Sequence, residues 1–370
     1  MSKTNLIKTL AKEPLFTAML VLTAVMSFFS RPQLSSINWN VITTLFSLML
    51  VRTAFEKCHF LTSVAGISTA YFHTQRSLSL ALTAVTGFLS MLVTNDVALL
   101  TVVPITILIA EKEGEDPFIL IILETISANI FSSLTPFGNP QNLYLYSYYN
   151  MTAADFFRIM LPLFVFGVAL IILLNFSLNR SNHQYHTSAI FQITDPILFW
   201  GALAVYVLNI LSVLRVLNSW IPFVAAVAFF VVYRPGFFLS VDYFLLGTFV
   251  LFFLFTDSVT GIPMVKTVLS AMLNSKAAVL ADSALISQVL SNVPTAVLIS
   301  GFTPHYRELL YGVAIGGLGT PVASLASMIS YKIYAQKYAG GKYMKVFLIV
   351  NFATLILLGL AIYLYELLAG

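Results

Sequence analysis

The sequence predicts an all-α integral membrane protein made of two inverted copies of one unit. Each copy would hold a re-entrant helical hairpin and a broken helix. Three observations predict this. The 370 residues are 59% hydrophobic and 9% charged, with mean hydropathy +0.90, whereas soluble domains carry about 25% charged residues. Two polar clusters interrupt long apolar runs: Thr94-Asn95-Asp96 within Leu80–Ala110, and Ser291-Asn292 within Ala277–Phe302. Each run is followed by a Thr-Pro pair, Thr135-Pro136 and Thr320-Pro321. Polar groups at membrane depth are costly and usually functional.

At the N-terminus, Lys3, Lys8 and Lys12 precede an apolar stretch that ends at Ser30. The charge order is that of a signal peptide. Arg31-Pro32 replaces the small-residue cleavage site, so a retained first helix with a cytoplasmic N-terminus is expected. A spanning helix needs about 20 apolar residues. The expected spans are Pro14–Ser30, Ile37–Phe55, Pro117–Ser133, Ala154–Phe176, Pro196–Leu214, Trp220–Tyr233, Val241–Phe255, Tyr306–Gly319 continuing to Tyr334, and Met344–Leu368. Lys57–Arg76, with His59 and His73, reads as an interfacial helix.

The run Leu80–Ala110 does not fit one helix. Its length at 1.5 Å per residue is about 46 Å, against a hydrocarbon core of about 30 Å. Split at Asn95, each piece of about 23 Å is too short to cross, which predicts a hairpin with its polar tip near the midplane. Ala277–Phe302 splits similarly at Asn292, with Pro294 just after. If both hairpins return to their own side, thirteen of the 19 Lys and Arg, Arg52 and Lys57 among them, fall on the inner side and six on the outer. The C-terminus then lies outside. The expected organisation is a first repeat over 1–178 (scaffold helices 14–55, hairpin 80–110, broken helix 117–149, helix 154–176), a linker over 179–195 and a connecting helix over 196–214. A second, inverted repeat follows over 215–370 (hairpin 277–302, broken helix 306–334, last helix 344–368).

The repeat is visible in Leu134-Thr135-Pro136-Phe137-Gly138-Asn139 set against Gly319-Thr320-Pro321-Val322-Ala323-Ser324. Asn142 aligns with Ser327. Proline removes a donor and clashes with the preceding turn, so each helix should break here. A break leaves N–H groups that attract anions and carbonyls that bind cations. The candidate binding residues are therefore Thr94, Asn95, Asp96, Thr135, Pro136, Gly138, Asn139, Asn142, Ser291, Asn292, Thr320, Ser324 and Ser327. Asp96 is the candidate coupling acid, since a buried carboxylate must protonate or find a cation; it would also cap the second hairpin helix. Glu124, in mid-span, is either a proton carrier or a paired structural acid. Asp257 reads as interfacial and Asp282 as a helix cap. With no basic residue evident in the core, dipoles and amides would hold a bound anion.

Other features carry less. His183-x-x-His186 lies in the polar linker and reads as solvated, too few ligands for a metal. Cys58 stands alone, so an internal disulfide is excluded. Nucleotide-binding and hydrolase fingerprints are absent from the sequence, which argues against ATP-driven transport and against an enzyme. Scattered basic residues fit membrane topology better than nucleic-acid binding.

The stretches Phe88 to Leu99, Leu134 to Asn142 and Ser287 to Pro294 resemble the ion transporter superfamily. That group holds citrate-transporter-like permeases, divalent anion–sodium symporters, arsenite permeases and NhaD-type sodium/proton antiporters. The likeness is greatest to the short bacterial anion permease branch. It implies a homodimer in which a transport domain moves against a scaffold as an elevator. In the sodium symporters each tip carries Ser-Asn-Thr, so this sequence departs in two ways. Asp96 puts a carboxylate where the symporters have a hydroxyl. Val293 and Ser327 weaken a second sodium site. The resemblance implies one cation or proton site around Asp96, Thr135, Gly138, Asn139 and Asn142.

The sequence thus points to a secondary active transporter in a bacterial inner membrane, moving a small carboxylate or oxyanion with sodium or protons. It needs no cofactor beyond a sodium ion, and its partners are the bilayer, the anion and the coupling ion. A sodium/proton antiporter and an arsenite efflux permease are the rivals. Paired hairpins argue against a passive pore.

Overall fold

The computed structural model describes residues 13–69, 74–176 and 192–369. Lys3, Lys8, Lys12, His73 and the pair His183 and His186 lie outside them. Among the described residues every regular element is helical. The helices are α1 Pro14–Phe29, α2 Trp39–Lys57, α3 Phe60–Thr69, α4 Gln75–Val93, α5 Asn95–Glu113, α6 Phe118–Ser132, α7 Pro140–Tyr148, α8 Ala153–Phe176 and α9 Pro196–Val213. They continue as α10 Trp220–Tyr233, α11 Tyr243–Thr260, α12 Pro263–Met272, α13 Lys276–Leu290, α14 Asn292–Ser300, α15 Tyr306–Gly316, α16 Leu325–Ala335 and α17 Gly340–Ala369.

Among the described residues five helices are long and apolar enough to cross a membrane: α4, α8, α9, α11 and α17. Their outward faces carry exposed apolar side chains such as Val165, Leu173, Trp200 and Ile356, as expected of surface that meets lipid rather than water. The inward faces bury a polar lining of Thr, Ser and Asn. Many of these hydroxyls bond the carbonyl four residues back, as Thr83, Thr86, Ser47 and Thr101 do, which satisfies a polar group inside an apolar helix.

Several boundaries differ from expectation. α4 begins at Gln75 rather than at residue 80, because Thr74 and Ser77 form a capping box. α5 runs on to Glu113, where Gly114 closes it in the left-handed region. Each has 19 residues, about 28 Å of helix, so shortness does not keep them from crossing. What makes them a hairpin is the contact between α4 and α5 across a one-residue turn at Thr94. α13 and α14 pack in the same way across Ser291. Asp282 caps nothing. It sits inside α13, whose N-cap is Ser275, accepting from the Ala278 N–H. Within 57–76, α3 is more than an interfacial strip: Leu61 and Ala65 are buried, and the helix packs on α4 and α5. The final helix starts at Gly340, four residues before the expected 344.

The helices interlock. The first hairpin packs on α6 and the second on α15. Beyond each break the chain crosses over, so that α7 packs on α14 of the second hairpin and α16 packs on α5 and α6. Tyr144 Oη and Ser300 Oγ share a hydrogen bond at 2.9 Å, and Tyr149 Oη donates to the Ser300 and Thr303 carbonyls, fastening α7 to the end of α14.

Candidate functional site

Both hairpin tips use a backbone shape that side chains disfavour. Thr94 has φ 91 and ψ 152; Ser291 has φ 75 and ψ 156. This region is essentially reserved for glycine and costs about 1–3 kcal/mol per residue. Each tip therefore stores strain that its surroundings must hold.

The surroundings are the helix breaks. Thr135 Oγ1 donates to the Met91 carbonyl at 3.1 Å, and Thr320 Oγ1 donates to the Gln288 carbonyl at 2.8 Å. Each acceptor lies three residues before its tip. Gln288 strengthens the second latch: its Nε2 donates to the Ala284 and Gly316 carbonyls, and its Oε1 accepts from the Thr320 N–H. The Asn292 N–H and Ser291 Oγ donate to the Ala323 carbonyl at 2.9 and 3.2 Å.

In the first break, Asn139 is the N-cap of α7, accepting from the Asn142 N–H at 2.9 Å, with Pro140 at the first helical position. Asn142 Nδ2 donates to the carbonyls of Ser132, Ser133 and Thr135 at 3.3, 3.0 and 3.1 Å. The carbonyls expected to bind a cation are thus already bonded to an amide. Asn142 Oδ1, Ser327 Oγ in the first turn of α16, and Asn129 Nδ2 of α6 are buried without a hydrogen-bond partner. Gly138 is required for packing. A Cβ there would sit 2.3 Å from the Ser132 carbonyl oxygen and 2.7 Å from Thr135 Oγ1. Pro136 is buried beside it.

Asn129 of α6, absent from the expected set, links the two halves. Its Oδ1 accepts from Asn95 Nδ2 and from Ser324 Oγ, each at 3.0 Å. A hydrogen-bonded path therefore runs from Asn95 through Asn129 to Ser324, and next to it from Ala323 to Asn292. Asn129 could have been noticed: Thr125, Asn129 and Ser132 fall on one helical face at spacings of four and three.

Asp96 is part-buried. Its Oδ1 accepts from Thr94 Oγ1, its N–H donates to Asn95 Oδ1, and its Oδ2 lies 3.5 Å from Arg52 Nη1. Among the described residues no Lys or Arg is buried, as expected, but the part-exposed Arg52 reaches the first tip from the side. Arg52 lies on α2, five residues before Lys57, about 7.5 Å of helix from its end. Assigning it to the inner-side set hid this. Glu124 stands apart from the tips. It is fully buried, accepts from Thr106 Oγ1, and leaves Oε2 without a partner. Asp257 accepts from the Gln33 N–H at 2.7 Å, in the last turn of α11.

Among the described residues no cluster of three His, Cys, Asp or Glu could hold a metal. A cavity of about 480 Å³ opens along α7 beside Asn38, Leu143, Tyr146, Asn150 and Arg215. Another of about 350 Å³ lies along the far half of α2, lined by Arg52, Thr53, Glu56, Lys57 and Asp242.

A family model described as a citrate transporter matches residues 7–305. An uncharacterized transporter of Methanocaldococcus jannaschii is 32% identical over 327 residues, covering 87% of this chain and 88% of that protein. The inner membrane protein YbiR of Escherichia coli is 29% identical over 333 residues, covering 88% and 89%. A Dictyostelium discoideum transporter, arsB, is 25% identical over 165 residues, 44% of this chain and 29% of its own.

Proposed function

The chain belongs to the citrate transporter family, and on that premise we propose that it is a secondary active transporter. It moves a small anion, a carboxylate or an oxyanion, across a bacterial inner membrane, coupled to sodium or protons. The two hairpins enter from opposite faces and bring their tips to the midplane. The transport domain rides as an elevator against a scaffold that includes α2 and α9, in a homodimer. The N-terminus is cytoplasmic and the C-terminus outside.

One observation carries this reading most. Two hairpin tips hold non-glycine residues in the same disfavoured backbone shape, each latched by a threonine hydroxyl from a neighbouring helix break. Such paired breaks next to paired tips are the plan of an inverted-repeat transport site. Asn95 and Asn292 contact substrate or ion from the two tips. Asp96 is the coupling acid, with Thr94, Asn142 Oδ1 and Ser327 Oγ as neutral ligands within reach of the breaks. Thr135, Gly138, Asn139, Thr320 and Ser324 shape the pocket.

The test is Asp96→Asn in proteoliposomes. Ion-dependent anion uptake should disappear while the purified protein keeps its melting temperature. Uptake with unchanged ion dependence would remove Asp96 from the mechanism.

A second reading, sodium/proton antiport without an organic substrate, is favoured by one observation: the fully buried Glu124 with its unpartnered Oε2. Everted vesicles with a pH-sensitive dye separate the two. Sodium alone dissipates a proton gradient only in the antiporter. The likeness to arsB keeps arsenite in the panel of solutes to be tried.

A further inference from the structure

We infer that Arg52 is a tethered counter-cation: it occupies Asp96 until the coupling ion arrives and is then handed to the substrate anion. The inference rests on the reading of Asp96 as the ion site and adds the residue that recognises the anion.

Three features of Arg52 carry it. First, the side chain reaches from α2 to the first hairpin tip, with Nη1 3.5 Å from Asp96 Oδ2. This is a long, single contact rather than the paired, parallel hydrogen bonds of a strong guanidinium–carboxylate pair. Among the described residues Arg52 makes no other hydrogen bond, so most of its donors stay available. Second, both partners are only partly withdrawn from solvent, at 31% and 19% side-chain exposure. Each can be reached by a ligand. Third, Arg52 also lines the cavity of about 350 Å³ beside α2. That volume admits a small carboxylate or oxyanion. On the cavity wall Arg52 and Lys57 balance Glu56 and Asp242, so the wall is neutral overall and Arg52 is its guanidinium next to the first hairpin tip.

The physics gives the coupling. Charge left unpaired inside a bilayer is costly. With neither ligand bound, Asp96 and Arg52 neutralise each other. With both bound, Asp96 holds the cation and Arg52 holds the anion. With one bound, a unit charge is uncompensated. The two ligands therefore favour each other's binding in this conformation, with Arg52, on the scaffold helix α2, acting as the shared competitor before the transport domain moves. The linkage must be reciprocal.

The experiment measures ion affinity in detergent-purified protein by titration calorimetry, using sodium chloride against choline chloride, with a pH-indicator arm for protons. It is run with and without citrate as the anion probe, on wild type, Arg52→Gln, Arg52→Lys and Asp96→Asn. In wild type, citrate should raise ion affinity. Removing a fixed cation 3.5 Å from the carboxylate should raise the ion affinity of R52Q about tenfold and abolish the citrate effect. R52K keeps the charge, so it should keep a weaker citrate effect and the wild-type order of binding. A purely structural Arg52 would change stability without changing linkage.

R52Q with wild-type ion affinity, or with wild-type citrate linkage, overturns the inference. Asp96→Asn separates this from failure of the underlying reading. If D96N loses ion affinity while R52Q is unchanged, only the role of Arg52 falls. If D96N also binds ions as wild type does, the ion site itself is misassigned and both fall together.

Discussion

Replacing Asn142 by alanine removes the amide that serves three carbonyls at the end of α6. The residue is fully buried, so water cannot take its place. Two N–H donors are lost, and buried acceptors left unpaired cost about 1–3 kcal/mol each. Because a carbonyl has a second lone pair and the three share two donors, the total is about 3 kcal/mol. An unfolding entropy of about 2.1 cal/mol/K per residue gives about 0.8 kcal/mol/K for the whole chain, so the melting temperature should fall by about 4 °C. The assay is built into the molecule. Cys58 is the sole cysteine and is buried, so a thiol-reactive dye reports unfolding without further labelling. Ser327→Ala is the matched control. Its hydroxyl is buried with no partner, and its removal should leave the melting temperature within about 1 °C. If Asn142→Ala melts with wild type, the break is not held by that amide and the account of the first site collapses.

Two further expectations follow from the same geometry. Gly138→Ala should cut uptake in proteoliposomes at least about tenfold, because the added methyl meets backbone that cannot yield; Gly341→Ala, with open space around it, should be silent. Asp195, at the mouth of α9, offers a pH test. Burial alone would raise its carboxyl, but the Arg234 guanidinium at 2.9 Å, the Leu198 N–H and the Tyr233 hydroxyl outweigh burial and hold it below the ordinary carboxylate value. A carboxyl lowered by folding stabilises above its unfolded-state value and loses that contribution as pH falls through the folded one. The melting gap between wild type and Asp195→Asn should therefore be constant near neutrality and shrink below about pH 4. A gap that widens in acid would contradict the sign.

The polar clusters in apolar runs located the turns to within one residue: the expected splits at Asn95 and Asn292 fall just after Thr94 and Ser291, where the backbone turns. The Thr-Pro pairs found the breaks, because proline's missing donor is a local property. What the sequence concealed was non-local. Arg52 and Asp96 are 44 positions apart, and nothing in either neighbourhood announces the pairing. Asn129 showed a helical stripe but not its two partners. Gln288 sits one turn before a tip whose latch depends on a residue 32 positions later. The early start of α4 escaped because hydropathy weighs Gln75 and Arg76 against a helix, while the Thr74 cap favours one.

In both latches the threonine supplies a side-chain donor and the hairpin supplies main chain. Evolutionary drift is therefore permitted on one side only. Met91 and Gln288, chemically unlike, present the same carbonyl, so the hydroxyl bond itself outlives substitution at that position, although Gln288 adds side-chain bonds of its own to the second latch. Two hairpins held by this kind of bond can then differ in the residues around them without losing alignment.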